Sequence, residues 1–141
     1  MQVQREGGEL LYELPIKQNT VIDPDTAFTI QVLEVEWPEE LAEKYVPVGS
    51  TALELHAAHE TGYGFALKPL LTIHYTQNEL DAAQAQGATL EPLKGNLIVL
   101  YKEQRSPKWV AQTSVTVDAD AGTVVVSNIA GAGAWRLVAK K

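Results

Sequence analysis

From Asn96 to its end the chain is a succession of short apolar runs: "NLIVLYK", "KWVAQ", "SVTVD", "TVVVSNI" and "AWRLVAK". Each is too short for a helix with a core-facing stripe, and each is rich in valine and other β-branched or aromatic residues, which suit a pleated, half-buried surface. Turn-forming residues separate them, "DADAG" (Asp118 to Gly122) being an expected hairpin connection. Strands of this length cannot stand alone. They need partners along their edges and a second layer across one face.

The same period runs through the first half. Leu10, Tyr12, Leu14 and Ile16 share one parity, as do Leu53, Leu55 and Ala57. In "AFTIQVLEVEW", Phe28, Ile30 and Val32 share a parity and Leu33, Val35 and Trp37 take the other, which predicts a bulge or a change of sheet. In "GFALKPLLTIHY", Leu71, Ile73 and Tyr75 are expected to point inward and Thr72 and His74 outward. Leu70 then falls on the outer face, and Pro69, lacking a backbone donor, argues for an edge strand or a bulge. Helix is expected only near Pro38 to Tyr45, where proline and two glutamates suit a first turn, and near Gln77 to Gln86. The fold class is therefore all-β: an antiparallel β-sandwich of about eight or nine strands with one or two short helices. Residues 1–8 are expected to be a disordered N-terminus and residues 9–141 a single domain.

Composition narrows the function classes. The net charge of −7 repels phosphate backbones, so nucleic acid is not an expected partner. No run approaches a membrane span, so no membrane insertion is expected. With no cysteine, disulfides and thiolate chemistry are excluded. The opening "MQVQREGGELL" has no basic segment followed by an apolar one, so no signal peptide is read in it.

A more specific pattern runs through the middle. Phe65 in a glycine-containing loop is followed by Pro69, Leu71, Tyr75, Glu79 and Leu80. A strand ending in Tyr101 comes next, then Lys108 and Trp109 after a tight turn, and a hairpin from Val117 and Asp118 to Thr123 through Val126. This series resembles the β-sandwich domain of ankyrins, zona-occludens proteins and netrin receptors in its bacterial surface-protein version, over roughly residues 10–139. The resemblance implies a binding or connecting module in a bacterial multidomain or surface-associated protein, and favours an extracytoplasmic or cell-surface location. Some members cleave themselves at a His-Phe-Ser sequence. Here that region reads "SNIAGAGAW", with Ser127 but no histidine, so that route is not expected.

Three groups of residues carry candidate chemistry. His56 and His74 lie on the polar parity of their strands; if those strands pair, the two imidazoles can share a transition metal. The competing reading is two solvent-facing histidines. Asp118 and Asp120 alternate in a loop, as calcium ligands do, but the loop lacks further acidic ligands, and the competing reading is a hairpin turn that needs no metal. Trp37 and Trp109 can stack on pyranose rings, whereas Trp135 shares parity with Leu137 and Ala139 and is expected in the core. No serine has a histidine nearby in sequence or a glycine-flanked elbow, so no catalytic residue is assigned and no cofactor is expected. The expected function is non-catalytic: protein–protein interaction or domain spacing, the partner being a protein or a neighbouring domain. The alternatives are a carbohydrate-binding module and an accessory domain of an enzyme.

Overall fold

The computed structural model describes residues 2–5, 7–15, 28–34, 39–57, 69–127, 129 and 131–141. In chain order its strands and helices are β1 (Gln2–Gln4), β2 (Leu10–Glu13), β3 (Phe28–Glu34), α1 (Glu39–Ala42), β4 (Tyr45–Pro47), β5 (Thr51–Ala57), β6 (Leu71–His74), α2 (Gln77–Ala85), β7 (Leu97–Glu103), β8 (Trp109–Ala111), β9 (Val115–Asp118), β10 (Thr123–Val126) and β11 (Gly133–Lys140). They form two antiparallel sheets. The smaller has the order β1-β2-β6-β10-β9; the larger has β3-β5-β11-β7-β8, with β4 pairing the far end of β11. This is the all-β sandwich the alternating runs predict.

The core lies between the sheets and follows the two-residue period. Tyr12, Leu14, Leu71, Ile73, Val124 and Val126 come from the smaller sheet, and Leu53, Leu55, Val99, Trp135, Leu137 and Ala139 from the larger. Each large aliphatic side chain so buried contributes about 1.5–3 kcal/mol relative to exposure. The β9–β10 hairpin forms as read, with Asp118 opposite Thr123 and the turn between them. Leu71 and Ile73 point inward and Leu70 is 49% exposed.

Four expectations need correction. The N-terminus is not frayed at residues 2–4, because Gln2 and Val3 pair with Glu13 and Tyr12, which adds a strand beyond the run "ELLYELPI". Tyr45 ends no helix: α1 stops at Ala42 and Tyr45–Pro47 form a strand of their own before β5, which helps raise the number of strands among the described residues to eleven. Pro69 sits on no edge: β6 begins two residues later and lies between β2 and β10, so the proline precedes the ladder and takes no donor from it. The register of β3 against β5 is unbroken from Phe28↔Ala57 to Glu34↔Thr51, so the parity change produces no bulge there; Val35 to Trp37 lie outside the described residues.

The bulge sits elsewhere. Pro47 pairs with Val138 and Leu53 with Trp135, so residues 48–52 stand opposite only Arg136 and Leu137 of β11. The excess bows out through Gly49, whose φ of +81° suits a residue without a Cβ. The bulge lets one run of chain accompany β11 for most of its length. β11, paired on both edges, is buried on both faces, including Ala134, Arg136 and Val138 on the side away from the core.

Candidate functional site

That outer face of the larger sheet carries an open groove of about 350 Å³, lined by Leu41, Lys44, Tyr45, Leu100, Pro107, Lys108, Trp109 and Ala111. Alternation explains the placement. Trp109 pairs with Lys102 and Ala111 with Leu100, so these four share a face; Leu100 pairs with Arg136, and Tyr45 with Lys140, on the same side. Leu41 enters from α1. The volume is at the lower end of the roughly 300–1,000 Å³ usual for ligand pockets.

The groove is cationic in an acidic chain. Lys44 and Lys108 line it, and Lys102 Nζ stands 6.0 Å from the centroid of the Trp109 ring, a cation–π approach. Lys140 is paired beside Tyr45, and the Lys141 N–H donates to the Lys44 carbonyl at 3.1 Å. Five of the chain's 11 lysines and arginines thus line the groove or lie in the segments beside it, and none of the described residues lining it is acidic. Among the described residues these five make no ion pair.

One wall of the groove is a sheet edge. The Gln112 N–H donates to the Val99 carbonyl at 2.9 Å, which fixes the hydrogen-bonding phase of the β7–β8 ladder. In an antiparallel pair the bonded residues alternate, so Val110 directs its backbone groups at Tyr101, while Trp109 and Ala111 direct theirs away from the sheet. Among the described residues nothing pairs with β8 on that side. Val110 is 52% exposed, and the Gln112 amide donates to its carbonyl at 3.3 Å.

The residues singled out from sequence scatter. Trp109 is half-buried in the groove wall; Trp37 lies outside the described residues. Trp135 is a core residue, stacked on Tyr101 at 5.1 Å between centroids. The two histidines are not neighbours by strand pairing, because β5 and β6 belong to different sheets. His56 is exposed beside a hollow of about 40 Å³ that Glu54, Lys102 and Gln104 also line, whereas His74 Nε2 lies 3.3 Å from Glu13 Oε2. Asp118 Oδ1 accepts the N–H groups of Asp120 and Ala121, both at 3.1 Å, as an Asx turn does, and the Asp120 side chain is exposed. Among the described residues no three His, Cys, Asp or Glu side chains gather in a metal-binding group. The Ser127 hydroxyl donates to the Ser114 carbonyl at 3.2 Å.

Sequence reasoning missed a second polar cluster, at one end of the sandwich. Thr76 and Glu79 form a reciprocal capping box at the start of α2, which the "TQNE" spacing signals. The same Glu79 carboxylate accepts both Nη groups of Arg5, at 2.7 and 3.2 Å, and Arg5 also donates to the His74 carbonyl at 2.7 Å. Glu79 reaches over Gly49, where an added Cβ would lie 2.6 Å from Oε2. On the other side of the bulge Arg136 Nη2 donates to the Gly49 carbonyl at 3.3 Å. The Tyr12 hydroxyl lies 3.1 Å from Thr51 Oγ1. Burial pushes the Tyr12 phenol above its ordinary value, with the Thr51 hydrogen bond pulling the other way. Burial draws the Arg136 guanidinium down. Burial also raises the Tyr75 phenol, and the Asp118 carboxylate adds to that shift. These groups tie β1, α2 and the bulge together.

Comparison of the chain with protein-family models, with curated proteins and with solved structures finds no match.

Proposed function

We propose that this chain is a non-catalytic β-sandwich module that binds a protein partner, or a neighbouring domain of a larger protein, through the outer face and free edge of its larger sheet. The observation that carries this reading is the groove beside β8, where aromatic, aliphatic and cationic side chains meet a strand edge that no described residue pairs. Acid–base catalysis needs a titratable group in reach of a reacting atom. Among the described residues that line it, the groove offers lysines and one tyrosine, with no carboxylate or imidazole. The setting in a bacterial multidomain or surface-associated protein, and kinship with the ankyrin, zona-occludens and netrin-receptor sandwich, belong to the proposal and rest on the residue pattern from Phe65 to Val126.

A carbohydrate ligand is the second reading, favoured by Trp109 in the groove wall. Against it, Lys102 Nζ already stands 6.0 Å from the centroid of that ring and competes for it. Photo-crosslinkers placed at exposed Ala111 in the groove wall, and at exposed Thr116 on the opposite sheet, distinguish the two in cells that produce the protein. The expected result is a polypeptide adduct from Ala111 and none from Thr116. No polypeptide adduct from either position, together with binding on a saccharide array, overturns the protein-partner reading.

A further inference from the structure

We infer that β8 is a strand-addition site for an extended acidic peptide segment, which pairs with Trp109 and Ala111 and directs carboxylates toward Lys44 and Lys108. The inference rests on the protein-binding reading above and names the partner's chemistry. Three observations converge on it. First, the outward N–H and C=O groups of Trp109 and Ala111 are a ready template for one more antiparallel or parallel strand. Second, an added strand places alternate side chains on the outer face, continuing the rows Lys102–Trp109 and Leu100–Ala111 over the groove. Third, the charge there is complementary to an acid and opposite to that of the chain as a whole. Lys44 and Lys108 line the groove, Lys102 caps the indole, and the net charge is −7. Main-chain pairing supplies affinity with little sequence preference, and the lysines select for carboxylates.

The test uses the full chain and a labelled synthetic peptide alternating Glu and Val, with a Lys/Val peptide and polygalacturonate as comparison probes. The Glu/Val peptide is expected to bind, more weakly as salt rises. Reversing both Lys44→Glu and Lys108→Glu is expected to weaken it about tenfold or more. Ala111→Pro removes a donor that points away from the native ladder, so it is expected to abolish binding while the melting curve changes little. Because that variant can also misfold, hydrogen exchange of the unaltered chain provides a second measurement. The Trp109 and Ala111 amides should exchange freely alone and become protected in the complex. The inference is overturned if the Lys/Val peptide binds equally well, or if polygalacturonate binds and leaves those two amides exposed. Protection that appears with protein concentration alone also overturns it, since β8 then pairs with a second copy. A polypeptide crosslink from a surface other than β8 would defeat this inference and leave the module reading standing.

Discussion

Gly133 leaves almost no room for a side chain, and Gly133→Ala tests the core described above. Gly133 opens β11 between Leu55 and Glu103, at φ +152°, where L side chains are strained. An added Cβ would fall inside the van der Waals contact distance of the Lys102 carbonyl oxygen, 2.6 Å from Tyr101 Cε2 and 3.0 Å from Cζ. Tyr101 cannot simply swing away, because its ring stacks on Trp135 and its hydroxyl donates to the Ala132 carbonyl at 2.7 Å. Backbone strain of this kind costs about 1–3 kcal/mol, and overpacking a closed site costs about 1–3 kcal/mol more. The sum, about 2–6 kcal/mol, is a large share of the roughly 5–15 kcal/mol that holds an ordinary domain folded. Urea unfolding followed by circular dichroism and by tryptophan fluorescence measures it. Gly95→Ala is the control: its φ is +86°, but an added Cβ meets nothing within 4 Å, so it should lose only about 1 kcal/mol. Equal losses in the two variants would refute the close approach of Gly133 to Tyr101 and Lys102.

Three other outcomes follow from the same geometry. Leu71→Ala should cost about 2–5 kcal/mol through the cavity it leaves, while His74→Ala, which loses a half-exposed contact with Glu13, should cost under about 1 kcal/mol in the same melts; equal losses would place the histidine in the core. Glu79→Ala removes both the capping box of α2 and the acceptor of Arg5, and should cost about 1–3 kcal/mol, with faster hydrogen exchange in β1; a loss confined to α2 would disconnect Arg5 from it. Tyr12 has a folded-state value raised above 10, so its contribution to stability is intact below pH 10 and is lost as pH rises through that raised value. Alkaline melting curves should therefore fall more steeply for the unaltered chain than for Tyr12→Phe, and identical slopes would contradict the burial of that phenol.

The fold was legible wherever one face of a strand is dry and the other wet. Alternation placed Leu71 and Ile73 correctly because they sit in a strand whose partners repeat the same two-residue period. It failed where tertiary pairing adds or divides strands. The "QVQ" of β1 has no apolar period worth reading and is held by pairing with β2 and by Arg5 on Glu79. The break between β4 and β5 is set by how β11 matches its neighbour, and the glycine there looks like any loop glycine until Glu79 is found over it. β11 follows alternation only on one side: Trp135, Leu137 and Ala139 face the core on one parity, but the outer face, with Ala134, Arg136 and Val138, is buried as well.

The candidate site was half legible for a different reason. Trp109 announces itself, since a tryptophan after a tight turn is uncommon enough to question. The residues that make it a site do not. Lys44, Tyr45 and Lys141 come to Trp109 from the two sides of a sheet whose strand order, β4 and β5 beside β11 and β7 beside β8, no local pattern encodes. A lysine read along the chain is a solubilising surface residue, and five lysines spread over residues 44–141 do not form a charge run. They become a patch only when antiparallel pairing folds the ends of four segments onto one face. The backbone at β8 is more hidden still, since whether Ala111 points its N–H in or out depends on one hydrogen bond, from Gln112 to Val99. Shifting the ladder by one residue would turn Trp109 into the core and the donors of Val110 to the edge. The candidate site therefore resides in the register, and a substitution that moves the register should erase the proposed peptide binding while leaving every lysine in the sequence.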